Sequence, residues 1–168
     1  MPSEKGHLYC MDTGGLIDTW HFWYHQQSHP TYWEELEQLA IQGRLFYPQQ
    51  VHEELEYKDD DLIAWCKERR KFLISSPTDE TEETFAELVN RYQIEAGTVG
   101  TGRNYADLYV VATALVRGAV VVTTETPSKE MKKGREKVPD ICKLENLRCI
   151  QPYHMVRDEG WVFRHDGK

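Results

Sequence analysis

The sequence predicts a three-layer α/β domain in which a short central parallel sheet lies between layers of helices. Short apolar runs alternate with longer amphipathic segments, which is the pattern of strands joined by helical crossovers. The segment Ala119–Thr123 (AVVVT) is apolar almost throughout, as expected for a strand covered on both faces. The 168 residues contain no internal repeat or composition break, so we expect one domain spanning residues 1–168.

The first predicted strand is His7–Asp12, and the pair Gly14-Gly15 that follows it predicts a turn. An aromatic-rich segment, Leu16–Gln27, is predicted to be helical. A second helix is predicted over Tyr32–Gln42, where apolar residues share one face, and Gly43 ends it.

The middle of the chain begins with a very short predicted strand, Leu45–Tyr47, and Pro48 starts the next helix. The acidic run Asp59–Asp61 is a favourable cap for a helix over Leu62–Lys71, because carboxylates stabilise the positive end of a helix dipole. Phe72–Ile74 is compatible with either a short strand or a loop.

The second half contains the clearest helix pattern, over Thr78–Ala96, with apolar residues at i, i+3, i+4 and i+7. Asn104 is placed to cap a further apolar helix, Tyr105–Arg117. The remaining predicted elements are a loop at Thr98–Arg103, a strand at Ala119–Thr123, a basic loop, an apolar segment Ile141–Leu144, a strand near Leu147–Ile150 and a helix from Tyr153.

The charge and composition of the chain disfavour several classes of protein. Twenty basic and 28 acidic residues give a net charge of −8, which disfavours a protein that coats nucleic acid non-specifically. The first residues are polar, so we expect no signal peptide, and the sequence has no apolar run long enough for a membrane span. Four scattered cysteines without a CxxC motif predict reduced thiols and a cytoplasmic location.

Acidic residues recur where parallel strands end or where helices begin after them. Asp12 ends the first predicted strand, Glu125 follows the strand Ala119–Thr123, Glu53 and Glu54 follow the second strand, and Asp107 lies in a first helical turn. Ligands of open parallel sheets bind beyond the carboxyl ends of the strands. Carboxylates gathered there would repel one another unless a cation lay between them, and hard oxygen ligands favour Mg²⁺ or Mn²⁺.

The chain resembles the PIN-domain ribonucleases over nearly its whole length, and most closely a toxin-like subgroup of uncharacterised bacterial and archaeal PIN proteins. Tyr24, Pro30, Trp33 and Trp65 are similar to that subgroup's pattern, as is Val138–Cys142. The main matching segments are Leu8–Thr13, Pro48–Leu55, Ala106–Ala114 and Val121–Glu125.

The resemblance implies a parallel sheet flanked by helices, a cluster of acids that binds Mg²⁺ or Mn²⁺, and cleavage of RNA. Many members are toxins restrained by an antitoxin protein, so an antitoxin partner is expected, and a homodimer is compatible with the family. The catalytic and metal-binding residues that it implies are Asp12, Glu54, Asp107 and Glu125.

Three positions keep alternatives open. Glu53 competes with Glu54 for the second acidic position. Glu125 stands where the family usually has Asp, which keeps the charge but moves it by one methylene. Asp140 is either an additional acid of the site or a helix cap.

The basic stretch between Glu125 and Asp140 contains Lys132, Lys133 and Arg135, which we predict to border the acidic cleft and bind RNA. A solvated loop or an antitoxin contact is the alternative.

Other function classes fit less well. A non-catalytic PIN-like module that binds RNA or a protein remains the main alternative to an enzyme. The tripeptide Asp12-Thr13-Gly14 also occurs in aspartic proteases, but those are all-β dimers and this sequence is strongly helical. The helical spacing of His21, His25 and His29 could serve a transition metal, although the intervening aromatic residues favour a surface or core-edge role.

Overall fold

A computed structural model describes residues 6–58, 60–92 and 105–164. Within these residues the centre of the fold is a parallel sheet of five strands, which confirms the predicted α/β class. The strands are β1 (Tyr9–Met11), β2 (Leu45–Pro48), β3 (Ile74–Ser75), β4 (Val120–Val122) and β5 (Cys149–Ile150).

The strand order is β3-β2-β1-β4-β5, so β1 lies at the centre with β2 on one side and β4 on the other. Tyr9 is paired with Leu45 and with Val120, and all three residues of β1 are fully buried. The chain builds the sheet outward from β1 to β3 and then returns to add β4. This change of direction lies between β1 and β4, where parallel sheets form ligand-binding crevices.

Helices join the strands and account for most of the described residues. They are α1 (Thr13–Asp18), α2 (Pro30–Ile41), α3 (Gln49–Lys58), α4 (Asp60–Glu68), α5 (Arg70–Leu73), α6 (Asp79–Tyr92), α7 (Tyr105–Arg117), α8 (Val138–Leu144) and α9 (Pro152–Asp158).

Helix α7 is the most deeply buried helix in the described part of the chain, because every residue from Leu108 to Ala114 is buried. It contacts β1, β2 and β4 and also packs on α6. Phe85 of α6 stacks on Tyr109 of α7 with ring centroids 3.9 Å apart. A helix that is apolar on nearly all sides belongs in a protein core, and this packing fixes the position of Asp107 in its first turn.

The predicted turn at Gly14-Gly15 is wrong, because both glycines lie in α1, which begins directly after Asp12. The Asp12 side chain caps the helix by accepting a hydrogen bond from the Thr13 N–H at 2.7 Å. A Cβ on Gly15 would lie 2.8 Å from the Val122 carbonyl oxygen. Glycine therefore serves close packing of α1 on β4 rather than a turn.

The predicted helix over Leu16–Gln27 is shorter than expected. After α1 the chain forms a π-helical turn, Thr19–Trp23, in which the Tyr24 N–H donates to the Thr19 carbonyl. The Thr19 hydroxyl donates a hydrogen bond to the Gly15 carbonyl at 2.6 Å. A side chain therefore bonds to a helix carbonyl at the point where the α-helical hydrogen bonds give way to π-helical ones. Since His25 and His29 lie beyond this turn, the three histidines do not share one helix face.

The aromatic residues of this region are mostly core residues. The rings of Trp20 and Trp33 meet edge to face at 4.8 Å, and Tyr24 stacks on Tyr32 at 4.6 Å. Phe22, by contrast, is 78% exposed.

The other boundaries differ by a few residues. The predicted helix Leu62–Lys71 is divided into α4 and α5, and Ile74 begins β3. Ile141–Leu144 forms the end of α8. Residues 79–92 of the predicted helix Thr78–Ala96 form α6. The last residues of that predicted helix lie outside the described residues, as do the predicted loop Thr98–Arg103 and Asn104.

No helix in the described ranges is both long and apolar enough to cross a membrane. None of the four cysteines forms a disulfide within the part of the chain that the structure describes.

Candidate active site

A cleft of about 290 Å³ opens beyond the carboxyl ends of β1 and β4. The four predicted acids come from four separate segments of the chain, and all of them line it. The lining residues are Asp12, Thr13, Gly14, Ile17, Asp18, Glu54, Lys58, Asp107 and Glu125.

Asp12 directly follows β1 and is 2% exposed. One carboxylate oxygen accepts from the Thr13 N–H, and the other accepts from the Thr123 hydroxyl at 2.7 Å. Burial raises the pKa of Asp12 to about 6, and the negative charges of Glu125 and Glu54 act in the same direction, against these two hydrogen bonds. The carboxylate is therefore fixed in orientation but costly to ionise.

Glu54 reaches the cleft from α3, where buried Val51 and Leu55 fix the rotation of the helix. Its Oε2 accepts a hydrogen bond from the Thr13 hydroxyl at 2.8 Å, and its Oε1 is paired with the ammonium of Lys58. The adjacent Glu53 is exposed, hydrogen-bonded to Gln49, and does not line the cleft. Geometry thus favours Glu54 over Glu53 as the acid from this helix.

Asp107 lies in the first turn of α7 and is partly buried. Burial raises its pKa to about 8, and the charges of Asp12, Glu125 and Glu54 add to the effect, while Lys58 lowers it. Both burial and the neighbouring acids therefore favour the neutral form of this carboxyl group.

Glu125 lies three residues after β4, and its side chain turns back toward the start of α8. Its N–H donates to the Thr123 hydroxyl at 3.1 Å, and its Oε2 accepts from the Val138 N–H at 3.1 Å. This hydrogen bond joins the two ends of the basic loop, the segment between Glu125 and Val138 that contains Lys132, Lys133 and Arg135.

A family model described as a domain of unknown function, DUF4411, matches residues 9–163. The chain belongs to the DUF4411 family. The matched region contains all the residues that line the cleft. A search of curated proteins finds no match to the chain.

Two charged residues of the DUF4411 cleft were absent from the sequence prediction. Asp18 accepts a hydrogen bond from the Thr124 hydroxyl at 2.5 Å, and Lys58 is paired with Glu54. The Glu54–Lys58 pair has the i, i+4 spacing of a helical ion pair, which was a usable signal. Asp18 offered none, because the sequence did not reveal that α1 begins at Thr13.

Asp140 is a cap in the DUF4411 fold and does not line the cleft. Its carboxylate accepts from the Ser128 N–H and hydroxyl and from the Lys137 N–H. Burial opposes ionisation of Asp140, but these hydrogen bonds prevail and hold its pKa below the ordinary value. Of the two alternatives, the contacts favour the structural role.

The basic residues Lys132, Lys133 and Arg135 are exposed, and none of them lines the cleft. They surround a turn at Gly134 in the loop that Glu125 and Val138 close. Their role in binding RNA stays a prediction.

The donor set of the DUF4411 cleft suits a hard divalent cation, because it consists of carboxylate oxygens. In the described ranges, however, no three His, Cys, Asp or Glu side chains are arranged around one point that could hold an ion. Two of the carboxylates have partners in the structure: Oε1 of Glu54 is paired with Lys58, and Oε2 of Glu125 accepts from the Val138 N–H. The ammonium of Lys58 would have to leave Oε1 of Glu54 before that oxygen could bind a cation.

Proposed function

We propose that the chain is a metal-dependent endoribonuclease that hydrolyses RNA phosphodiesters. The observation that carries the proposal is the meeting of Asp12, Glu54, Asp107 and Glu125 in one cleft. Burial is the largest cause of the raised pKa values of Asp12, about 6, and Asp107, about 8, and repulsion among the acids adds to it. Folding tolerates such repulsion most easily where a divalent cation relieves it, which supports a metal centre at this position.

The same four residues would hold Mg²⁺ or Mn²⁺. When bound, the ion supplies Lewis-acid activation of water and of the phosphate group. In the hydrolysis, the water oxygen forms a bond to phosphorus, the bond from phosphorus to a ribose oxygen breaks, and that oxygen receives a proton.

The protein's own contribution is to orient the ligands. The Thr13 hydroxyl holds Glu54 and the Thr123 hydroxyl holds Asp12, so two threonines position two carboxylates. Such preorganisation lowers the entropic cost of binding an ion and substrate together.

We further propose that the enzyme is the toxin of a toxin–antitoxin pair, with an antitoxin protein as its partner. This part of the proposal is supported by the resemblance to the toxin-like PIN subgroup, including the aromatic residues Tyr24 and Trp33.

A non-catalytic PIN-like module that binds RNA or a protein is the second candidate. The specific observation in its favour is that Glu54 is already paired with Lys58 and that Glu125 accepts a hydrogen bond from the Val138 N–H. The presence of Glu125 where the family usually has Asp is compatible with it.

Cleavage of single-stranded RNA oligonucleotides in Mn²⁺ tests the proposal. The parent chain should cut them, a chelator should abolish cleavage, and Asp12→Asn should be inactive yet folded, because the amide removes a ligand charge while keeping the helix cap. Glu53→Gln is the matched control, since this neighbouring acid lies outside the cleft, and it should retain activity. Metal-dependent cleavage by Asp12→Asn, or none by the purified parent, would contradict the proposal.

A further inference from the structure

Lys58 is the one basic side chain among the described residues that line the cleft. It is the last residue of α3, one turn after Glu54, and its ammonium contacts the Glu54 carboxylate. It also lowers the pKa of Asp107, so its charge acts on more than one of the acids. The acids that line the cleft together with Lys58 are Asp12, Asp18, Glu54, Asp107 and Glu125.

The pairing of Lys58 with Glu54 is easily exchanged. The Lys58 side chain is 51% exposed, and exposed ion pairs at i, i+4 contribute only about 0.5 kcal/mol to stability. A lysine carries its charge on a flexible stem, so the ammonium can move by several bond rotations without disturbing the helix. Glu54 would keep its hydrogen bond from Thr13 when the ammonium leaves.

A phosphodiester that enters this cleft meets five carboxyl groups and, among the described lining residues, one cation, Lys58. Lys132, Lys133 and Arg135 lie outside the cleft, so they can attract RNA but do not neutralise the phosphate at the acids. Lys58 is already inside, and an ammonium binds a phosphate oxygen as a compact point charge.

We propose that Lys58 is a phosphate-binding residue that exchanges partners. Its ammonium neutralises Glu54 in the metal-free protein and binds a non-bridging oxygen of the RNA phosphate once a divalent cation occupies the acids. The inference rests on the proposed function, because it assigns the substrate phosphate to the same cleft.

The test measures binding rather than turnover. The affinity of the full chain for Mn²⁺ is measured by titration calorimetry, and its affinity for a single-stranded RNA oligonucleotide is measured by fluorescence anisotropy in Ca²⁺, with gels to confirm that the RNA stays intact. The variants are Lys58→Met, which keeps the length of the side chain, and Lys58→Arg, which keeps the charge. Lys67→Met is the matched control, because Lys67 is a similarly exposed lysine paired with Glu56 outside the cleft.

For Lys58→Met we expect tighter Mn²⁺ binding, because the competing ammonium is gone, and RNA affinity reduced about tenfold, the size of one charge-assisted contact. Its RNA affinity should also depend less on salt. Lys58→Arg should recover most of the RNA affinity, and Lys67→Met should match the parent in both measurements. Unchanged RNA affinity, or weaker Mn²⁺ binding, in Lys58→Met would overturn the inference.

The two proposals fail separately in these measurements. If the parent binds RNA through Lys58 in Ca²⁺ but cuts none in Mn²⁺, the nuclease proposal fails and the Lys58 inference stands. If the parent cuts RNA and Lys58→Met binds RNA as tightly as the parent does, the Lys58 inference fails and the nuclease proposal stands. A parent that binds no RNA in Ca²⁺ would overturn the Lys58 inference.

Discussion

The ionisation of Asp107 links the cleft to the stability of the whole fold. Burial and the neighbouring acids raise its pKa to about 8, whereas a carboxyl group in an unfolded chain has a pKa of about 4. Between these values the folded protein holds a proton that the unfolded chain has released. The free energy of unfolding therefore falls as the pH rises through this window, and Asp12 adds a smaller effect of the same sign up to about pH 6.

Asp107→Asn should consequently stabilise the metal-free protein at alkaline pH. We expect a gain in the free energy of unfolding of at least about 1 kcal/mol near pH 8.5 and almost none near pH 4, because one pKa unit corresponds to about 1.4 kcal/mol. Urea unfolding at the two pH values measures it. The exposed Glu53→Gln serves as the control, and a gain in Asp107→Asn that is equal at both pH values would contradict the explanation.

Thr123 is predicted to contribute through two hydrogen bonds. Its hydroxyl donates to Asp12 and accepts from the Glu125 N–H, so Thr123→Val removes both while keeping the shape of the side chain. We expect a loss of about 1–3 kcal/mol, because buried polar partners are left unsatisfied. A double-mutant cycle with Asp12→Asn should show coupling between the two positions, and strict additivity would contradict this account.

Residue types at strand ends and helix starts predicted four of the five acids that line the cleft, but neither Asp18 nor the way in which each carboxylate is held. Glu53 and Glu54 are adjacent on α3, and only the burial of Val51 and Leu55 decides which of them faces the cleft. The partners of Glu125 were not predictable, because Val138 is far along the chain and reaches it through an irregular loop.

Helix α1 depends on the absence of a side chain at Gly15. A Cβ there would lie 2.8 Å from the Val122 carbonyl oxygen, which belongs to β4 and cannot move without disturbing the sheet. Gly15→Ala should therefore destabilise the protein by about 1–3 kcal/mol, in spite of the better helix propensity of alanine.

Gly14→Ala is the matched control for this element, and urea unfolding measures both variants. The Cβ that it adds would lie 3.1 Å from the Thr124 hydroxyl, the end of a side chain that can rotate. The cost should be clearly smaller than that of Gly15→Ala. Equal stability of the two variants would show that close packing on β4 does not explain the glycine.

Elements with a long apolar or amphipathic run were predictable from the sequence, and elements whose shape depends on tertiary packing were not. The predicted helix Tyr105–Arg117 is confirmed as α7, because its apolar run is long and Gly118 follows it directly. The π-helical turn Thr19–Trp23 was missed, since its widened pattern follows from the packing of Trp20 and the hydroxyl of Thr19. No local periodicity distinguishes it from an ordinary helix.

At the scale of the molecule, Mn²⁺ should raise the melting temperature, and more so at alkaline pH. Metal binding requires deprotonated ligands, and Asp12 and Asp107 lose their protons near about pH 6 and about pH 8. Mn²⁺ at about 100 times its dissociation constant should add about 2.7 kcal/mol.

Thermal melting with and without Mn²⁺, near about pH 5.5 and about pH 8.5, measures this effect. Asp107→Asn should weaken the stabilisation and its pH dependence. A stabilisation by Mn²⁺ that is the same at both pH values would exclude these carboxyl groups as its ligands.

The basic loop is predicted to attract RNA from outside the cleft. Replacing Lys132, Lys133 and Arg135 by Ala should weaken RNA binding and reduce the slope of its salt dependence by about 0.7 for each lost contact with a single strand. Mn²⁺ affinity should stay nearly unchanged. Alanine at Lys67, Arg70 and Lys71, exposed basic residues outside the cleft, is the control, and RNA binding at parental strength by the loop variant would contradict the prediction.

The fold class was predictable from the alternation of apolar and amphipathic segments, but the order of the strands was not. The strands contain two to four residues each, too few for their sequences to select partners. Order in this sheet follows from helix packing, above all from α7, which contacts three strands at once.

The position of β4 in the sheet has a consequence for protein synthesis. β1 is translated before the other four strands, yet the strand that completes its pairing, Val120–Val122, is made more than a hundred residues later. Elongation at about 5–20 residues per second separates the two events by roughly 5–20 s. Glu125 follows β4, so the acidic cleft cannot exist on a nascent chain until β4 and Glu125 have been translated. During this interval β1 has only β2 available as a neighbour in the sheet, and the acidic cleft stays incomplete.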